Sequence, residues 1–291
     1  MNAVELIECP RDAIQGWPRF VSTEDKLGYY RALLGVGFDG IDMGSFVSHR
    51  AVPQMADTRE VINRLHDEGL LDRVTRILTV VANERGAIDA AQVNGVTDVG
   101  FPLSLSETFQ QKNTGTSIDE AWKRLDRIKH HSTGKGQSLI VYLSMGFGNP
   151  YGEEWSPQIL ADFIGDLNER VQPNVVALSD TVGTANPEMI SAAFYTAIPN
   201  FQEIHFGAHL HANPHEVHSK LHAAYDAGCR RFDGALRGIG GCPMAQDELV
   251  GNIPTEQIIA FFEEKKIWEI KDSRAWEHAM SIAVDLFALE V

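Results

Sequence analysis

His209-Leu210-His211 is the stretch most able to do chemistry in this chain, together with the glycine-rich run Gly238-Ile239-Gly240-Gly241-Cys242-Pro243-Met244-Ala245-Gln246 that follows and the Gly251-Asn252 pair that closes it. In an extended segment, side chains two apart share a face, so His209 and His211 present two imidazoles together, as a strand end does when it holds a metal. Apolar residues lead into the pair (Ile204, Phe206, Ala208), and two histidines on a buried face need either a metal or hydrogen-bonding partners. Both readings stay open from spacing alone. A lone thiol is more often a small buried hydrophobe, but glycines before Cys242 and a proline after it disfavour helix and strand, and describe a loop able to carry the thiol over a site.

The elements that must position these groups read as a repeating β/α pattern. Strand-like runs are expected at Val4–Glu8, Gly40–Met43, Arg76–Val80, Asp98–Phe101, Leu139–Ser144, Val175–Ser179, Glu203–Leu210 and Arg231–Ala235. Between them, helical patterning fills Thr23–Gly35, Arg59–Glu68, Glu84–Val93, Ser117–His130, Ser156–Arg170, Pro187–Ile198, Pro214–Ala227 and Thr255–Glu264. Eight such units in 291 residues, with no low-complexity linker, define an α/β chain forming a single TIM (β/α)8 barrel with a C-terminal helical extension. One catalytic domain is expected over 1–291, its tail from about 263 to 291 packed on the barrel or at an oligomer interface. A nucleotide-binding doubly wound sheet is disfavoured, because Cys9-Pro10-Arg11-Asp12 stands where its glycine fingerprint belongs.

In such a barrel, function sits where the strands end. Those ends carry Arg11, Asp12 and Gln15; Asp42 and Ser45-Phe46-Val47-Ser48; Tyr142 and Ser144; Asp180-Thr181; His209 and His211; and, beyond the eighth strand, Cys242 and Asn252. Singly, an Asp-Thr or Arg-Asp pair is ordinary turn or cap chemistry. Together they place acidic, imidazole and guanidinium groups at one end of one barrel, a metal site with an attached acid/base set. A net charge of −15 argues against nucleic-acid binding, and no apolar run approaches a membrane span. Three cysteines, an odd number, in a chain opening straight into a strand-like segment point to a reducing, cytoplasmic compartment.

Several of these motifs resemble those of the 3-hydroxy-3-methylglutaryl-CoA lyase family, metal-dependent barrel lyases related to the isopropylmalate and homocitrate synthases. The carriers are Glu8-Cys9-Pro10-Arg11-Asp12-Ala13-Ile14-Gln15, Ser45-Phe46-Val47-Ser48 with Val52-Pro53-Gln54-Met55, Ser179-Asp180-Thr181-Val182-Gly183, His209-Leu210-His211, and Gly240-Gly241-Cys242-Pro243 with Gly251-Asn252. The Gly-Gly-Cys-Pro loop separates lyases from the condensing synthases. The resemblance implies Asp12, His209, His211 and Asn252 as ligands of a divalent cation, Mg²⁺ or Mn²⁺, with Zn²⁺ also compatible with the ligand types. It implies a catalytic set of Arg11, Cys242, Asp42 and Asp180, with Cys242 as the acid that protonates an enolate and Asp42 or His209 as the base. Arg11, Gln15, Tyr142, Ser144 and Thr181 are expected to bind substrate, an acyl-CoA, and the family leans to a homodimer.

Departures from the family pattern concern substrate more than reaction. Asp42 stands where glutamate is usual, Ala13 where glycine follows the Arg-Asp pair, Ala212 where aspartate follows His-x-His, and Met244 where tyrosine is common. A related aldolase or condensing enzyme of the same metal chemistry and a non-catalytic binding relative are the alternatives. A metallohydrolase is disfavoured, since its His-x-His follows the first barrel strand and this one the seventh.

Overall fold

The computed structural model describes residues 4–241 and 250–288. Within them the chain runs β1 (Glu5–Glu8), α1 (Pro10–Gln15), α2 (Thr23–Val36), β2 (Gly40–Ser45), α3 (Thr58–Asp67), β3 (Arg76–Val80), α4 (Glu84–Ala91), β4 (Asp98–Ser104), α5 (Glu107–Thr114) and α6 (Ile118–Thr133). It continues through β5 (Ser138–Ser144), α7 (Pro157–Arg170), β6 (Val175–Ser179), α8 (Pro187–Asn200), β7 (His205–His209), α9 (Val217–Asp226), β8 (Arg231–Gly234), α10 (Thr255–Glu264) and α11 (Ser273–Leu286). Each strand pairs in parallel with the next, and β8 closes on β1. The (β/α)8 barrel expected from the sequence is the fold observed, and the eight strands lie where the apolar runs put them.

Local chemistry explains most boundaries. Ser22, Asn83, Ser106, Ser117, Ser156 and Asn186 each accept a backbone N–H in the first turn of α2, α4, α5, α6, α7 and α8, satisfying donors that a helix start leaves open. Two helices escaped the periodicity reading. α5 (Glu107–Thr114) is mostly polar and is set by its caps, Ser106 Oγ accepting from Phe109 N at 3.0 Å and Gly115 in the left-handed conformation. α1 is a six-residue helix with Pro10 at its first position, and it turns the chain just beyond β1 so that Arg11 and Asp12 face the barrel mouth.

The strand pleat fixes what lies inside the barrel. Leu78, Ile140, Tyr142, Val175 and Ala177 form an inner cluster, separate from the larger apolar shell between strands and helices. Below it, at the N-terminal end, charges plug the barrel: Arg76 bonds Asp98 at 2.8 Å, and Glu5 lies 3.6 Å from both Arg76 and His205. The tail helix α11 lies along α2, with Arg19 Nη2 donating to the carbonyl of Leu286 at 2.6 Å. No described helix is long and apolar enough to cross a membrane.

Glu8 points out of the barrel into the apolar shell, fully buried, accepting from Leu236 N at 2.9 Å and from Thr255 Oγ1 at 2.5 Å. It thereby ties β1 to the two stretches that flank residues 242–249. Burial raises its pKa from 4.5 to about 8. A carboxyl whose folded pKa is raised holds its proton more tightly in the folded state. Its stabilisation is full below about pH 4.5 and is lost as pH rises through about 8, at roughly 1.4 kcal/mol per unit between the two. Glu8→Gln, which mimics the protonated acid, is therefore expected to melt above the wild type at pH 8 and alongside it at acid pH. Parallel melting curves across that range would show that Glu8 titrates normally.

Candidate active site

Four chain segments meet at the C-terminal mouth. Arg11 and Asp12 come from α1, Asp42 from β2, His209 and His211 from β7 and the residues after it, and Asn252 from the segment entering α10. An antiparallel bridge between His211 and Asn252 brings the last of these into place. Gly240 permits the closure: at φ +98°, a Cβ there would fall 2.6 Å from Asn252 Nδ2 and 2.9 Å from the Asp12 carbonyl.

Asp12 is the hub. Its Oδ1 accepts from Arg11 Nη1 at 2.9 Å and from Gln15 Nε2 at 3.0 Å, and its Oδ2 accepts from Asn252 Nδ2 at 2.7 Å. Burial works against its charge, but Arg11, His209 and the Asn252 amide outweigh burial and hold the carboxyl below its usual range. Asn252 Nδ2 also donates to the Ile239 carbonyl at 3.0 Å. Two acceptors on the nitrogen fix the amide orientation and leave Asn252 Oδ1 available as an oxygen ligand.

The two histidines differ. His209 Nδ1 lies 3.3 Å from Asp233 Oδ2, and this contact, with the charges of Asp233 and Asp12, raises its pKa against the opposing effect of burial. His211 is almost completely enclosed, and neither ring nitrogen makes a hydrogen bond of ordinary geometry among the described residues, beyond a marginal approach to the Thr181 backbone. Burial, then His209, pushes its pKa down to about 4, so it stands neutral with a lone pair to give. One ligand atom from each of Asp12, His209 and His211 lies within 4.8 Å of the others. A neutral imidazole without partners beside an ionised carboxylate and a second imidazole fits a divalent cation, and it answers the choice left open by spacing better than two hydrogen-bonded core histidines do.

Other expected site residues are placed differently. Asp42 is fully enclosed behind Arg11, whose Nε and Nη2 both donate to its Oδ2 at 2.9 and 2.5 Å. It backs the guanidinium rather than opening toward the mouth. Asp180 points away from the cluster toward α9, paired with Lys220 at 3.1 Å and accepting from Ala185 N. Lys220 also donates to the His211 carbonyl at 2.9 Å, so this pair steadies the backbone under the second imidazole. Gln15 is engaged on Asp12. Tyr142 packs edge-on against His209 with ring centroids 5.4 Å apart, its hydroxyl turned inward to the charges of Arg231 and Asp233. Ser144 is buried at the top of β5, and Thr181 is half-buried with its hydroxyl enclosed. Cys242 lies outside the described residues.

Three functional side chains went unread in the sequence: Asp233, which orients His209; Arg231, fully buried and 3.3 Å from Asp233; and Lys220. A signal existed for the first two. Arg231 and Asp233 alternate with Phe232 in β8, and in a barrel strand that alternation puts the charged pair inside. A buried lysine on an otherwise ordinary helix face gives no such sign.

A closed parallel barrel whose C-terminal mouth gathers a carboxylate, two imidazoles, an amide and a buried guanidinium has the build of a barrel enzyme with a candidate cation site. A family model described as HMGL-like matches residues 4–283, and the chain belongs to that family. Among its relatives are the (R)-citramalyl-CoA lyase of Chloroflexus aurantiacus, 30% identical over 272 residues (90% of this chain, 84% of that protein), and the hydroxymethylglutaryl-CoA lyase of Pseudomonas mevalonii, 30% identical over 260 residues (89% and 84%). The crystal structure of the HMG-CoA lyase from Bacillus subtilis superimposes with a TM-score of 0.88 at 27% identity, covering 98% of this chain and 94% of that one. An HMG-CoA lyase from Acinetobacter baumannii, solved with coenzyme A and 3-methylmalate, superimposes with a TM-score of 0.85 at 27% identity, covering 98% and 91%.

Proposed function

We propose that the chain is a metal-dependent carbon–carbon lyase that cleaves a 3-hydroxy-3-methylglutaryl-CoA-like thioester to acetyl-CoA and a keto acid, acetoacetate for the parent substrate. The observation that carries this reading is the convergence of Asp12, His209 and His211 within ligand distance at the mouth of an HMGL-like barrel. Asp12, His209, His211 and Asn252 would hold the ion, Mg²⁺ or Mn²⁺ by family, with Zn²⁺ compatible with the donors. Bound there, a divalent cation supplies Lewis-acid polarisation of the substrate oxygens.

The chain's own groups account for the rest. In the reaction the C3 hydroxyl gives its proton to a base, His209 being the candidate not already engaged on Arg11, and becomes a carbonyl; the C2–C3 bond breaks, and its electron pair passes into the thioester as an enolate. Arg11 is the charge-balancing group. Asp42 and Asp12 grip its guanidinium from two sides, so it meets charge growing on the thioester oxygen without first reorganising. Asp42 acts as its positioning residue, and Asp180 with Lys220 as that of His211. Cys242, assigned from sequence, delivers a proton to C2; an ordinary thiol, with a pKa near ~8.5, is mostly protonated at neutral pH.

A second reading shares the site: the same cleavage on a thioester with a different C3 substituent. The relative named as an (R)-citramalyl-CoA lyase favours it, and the short Asp42 carboxylate bears on it only through the position it gives Arg11. The family leans to a homodimer and the odd cysteine count to a reducing, cytoplasmic compartment, with residues 1–291 one catalytic unit; Cys9 and Cys229 are free thiols, in keeping with a reducing compartment. Metal dependence tests the core of the proposal. Chelation is expected to abolish turnover, and added Mg²⁺ or Mn²⁺ to restore it. Full turnover in protein shown by elemental analysis to be metal-free would end this reading.

A further inference from the structure

We propose that Cys9, His209 and Asp233 form a second metal site, suited to a thiophilic ion such as Zn²⁺ or Cd²⁺, and that its occupation withdraws His209 from the Asp12–His209–His211 cluster. The strand register builds it. Asp233 pairs with Ile7 on one side and with His209 on the other, and Cys9 follows two residues after Ile7 on the same face. One atom from each of the three lies within 4.8 Å of the other two. The 3.3 Å between His209 Nδ1 and Asp233 Oδ2 matches the edge of a tetrahedron with metal–ligand bonds of about 2.0 Å.

The donor set differs in kind from the one above it. Thiolate, imidazole and carboxylate select a borderline-soft ion, whereas Asp12 and Asn252 supply hard oxygens. Cys9 is fully buried, and the one hydrogen bond its thiol makes among the described residues, to the Ile7 carbonyl at 3.9 Å, is weak enough to give up. Arg231 occupies Asp233 Oδ1 at 3.3 Å, leaving Oδ2 for the ion. On binding, the ion replaces the thiol proton, which leaves to solvent, and takes the Nδ1 lone pair. A neutral imidazole has only one such pair, so its proton then sits on Nε2, the nitrogen left to the upper cluster. The two sites thereby exclude each other through one ring.

Spectroscopy tests the site without reference to turnover. Full-length Cys242→Ser protein loaded with one equivalent of Cd²⁺ is expected to show a thiolate-to-metal charge-transfer band that survives Cys229→Ser and disappears with Cys9→Ser. X-ray absorption on Zn²⁺-loaded Cys242→Ser protein should show one sulfur at about 2.3 Å. This arm keeps Cys9 intact, so it stands even if Cys9→Ser folds poorly. A shell of nitrogen and oxygen only, or a band that persists without Cys9, overturns the proposal. The competition between sites rests on the lyase reading: Zn²⁺ should inhibit turnover, and Cys9→Ser should raise the inhibitory concentration at least tenfold. Equal inhibition of both proteins would overturn the exclusion, while a sulfur shell in a protein that cleaves no thioester would leave the site standing and sink the lyase reading.

Discussion

Replacing His209 with alanine is expected to abolish both metal binding and turnover, the latter by on the order of 10³-fold or more, because the ring serves two structures at once. It is one of the four groups proposed to hold the ion, and it is the hydrogen-bond partner of buried Asp233. Its removal takes a donor from the ion and leaves the Asp233 carboxylate with Arg231 as its ion-pair partner. Cys242→Ala is expected to behave differently, retaining metal while losing turnover, since the proposed work of the thiol is on the enolate carbon. Elemental analysis of the two variants, purified identically, separates these outcomes. Equal metal loss in both would make the thiol a ligand and not an acid.

Asp42→Asn is the second large effect. The wild-type carboxylate takes both Arg11 donors on a single oxygen inside a fully enclosed pocket, and burial, though opposed by Arg11, raises its pKa. An amide of the same shape keeps the hydrogen-bond acceptor but removes the charge that balances the guanidinium. Breaking a buried pair in this way typically costs about 3–5 kcal/mol of stability. Turnover is expected to fall by about 10²-fold or more, as Arg11 loses its alignment with the developing oxyanion. Asp42→Glu keeps the charge, and should recover much of the rate and shift preference toward 3-hydroxy-3-methylglutaryl-CoA. An Asp42→Asn enzyme as fast as the wild type on every thioester offered would show that the Asp42–Arg11 pair is only structural.

The architecture was legible because its two signals are local. Short apolar runs separated by helical stretches, most of them capped, recur eight times, and the strands are largely buried on both faces, as a parallel barrel requires. The helices missed were those set by something other than periodicity, α1 by Pro10 and its strand-end position, α5 by Ser106 and Gly115. The candidate metal cluster was legible for a similar reason, since His209 ends a strand with His211 two residues on, and Asp12 immediately follows an arginine. Partners were harder to read. That Asp42 holds Arg11, that Asp180 pairs with Lys220 forty positions away, and that Asp233 backs His209 across a strand pair are facts of register and closure. Residue type put Asp42, Asp180, Gln15 and Tyr142 toward one end of the barrel, but which way each side chain turns is set by its packing partners, Arg11 for Asp42 and Lys220 for Asp180, which residue type alone does not name.

The most direct measurement is product identification. Purified protein would be supplied with Mg²⁺ or Mn²⁺ and a panel of 3-hydroxy-3-methylglutaryl-CoA and related 3-hydroxy acyl-CoA thioesters, and the reaction followed by mass spectrometry. The expected result is acetyl-CoA together with one keto acid in equal amounts from at least one thioester, and no cleavage after chelation. Intact thioesters throughout the panel in the presence of metal, or hydrolysis to free CoA without carbon–carbon cleavage, would contradict the account.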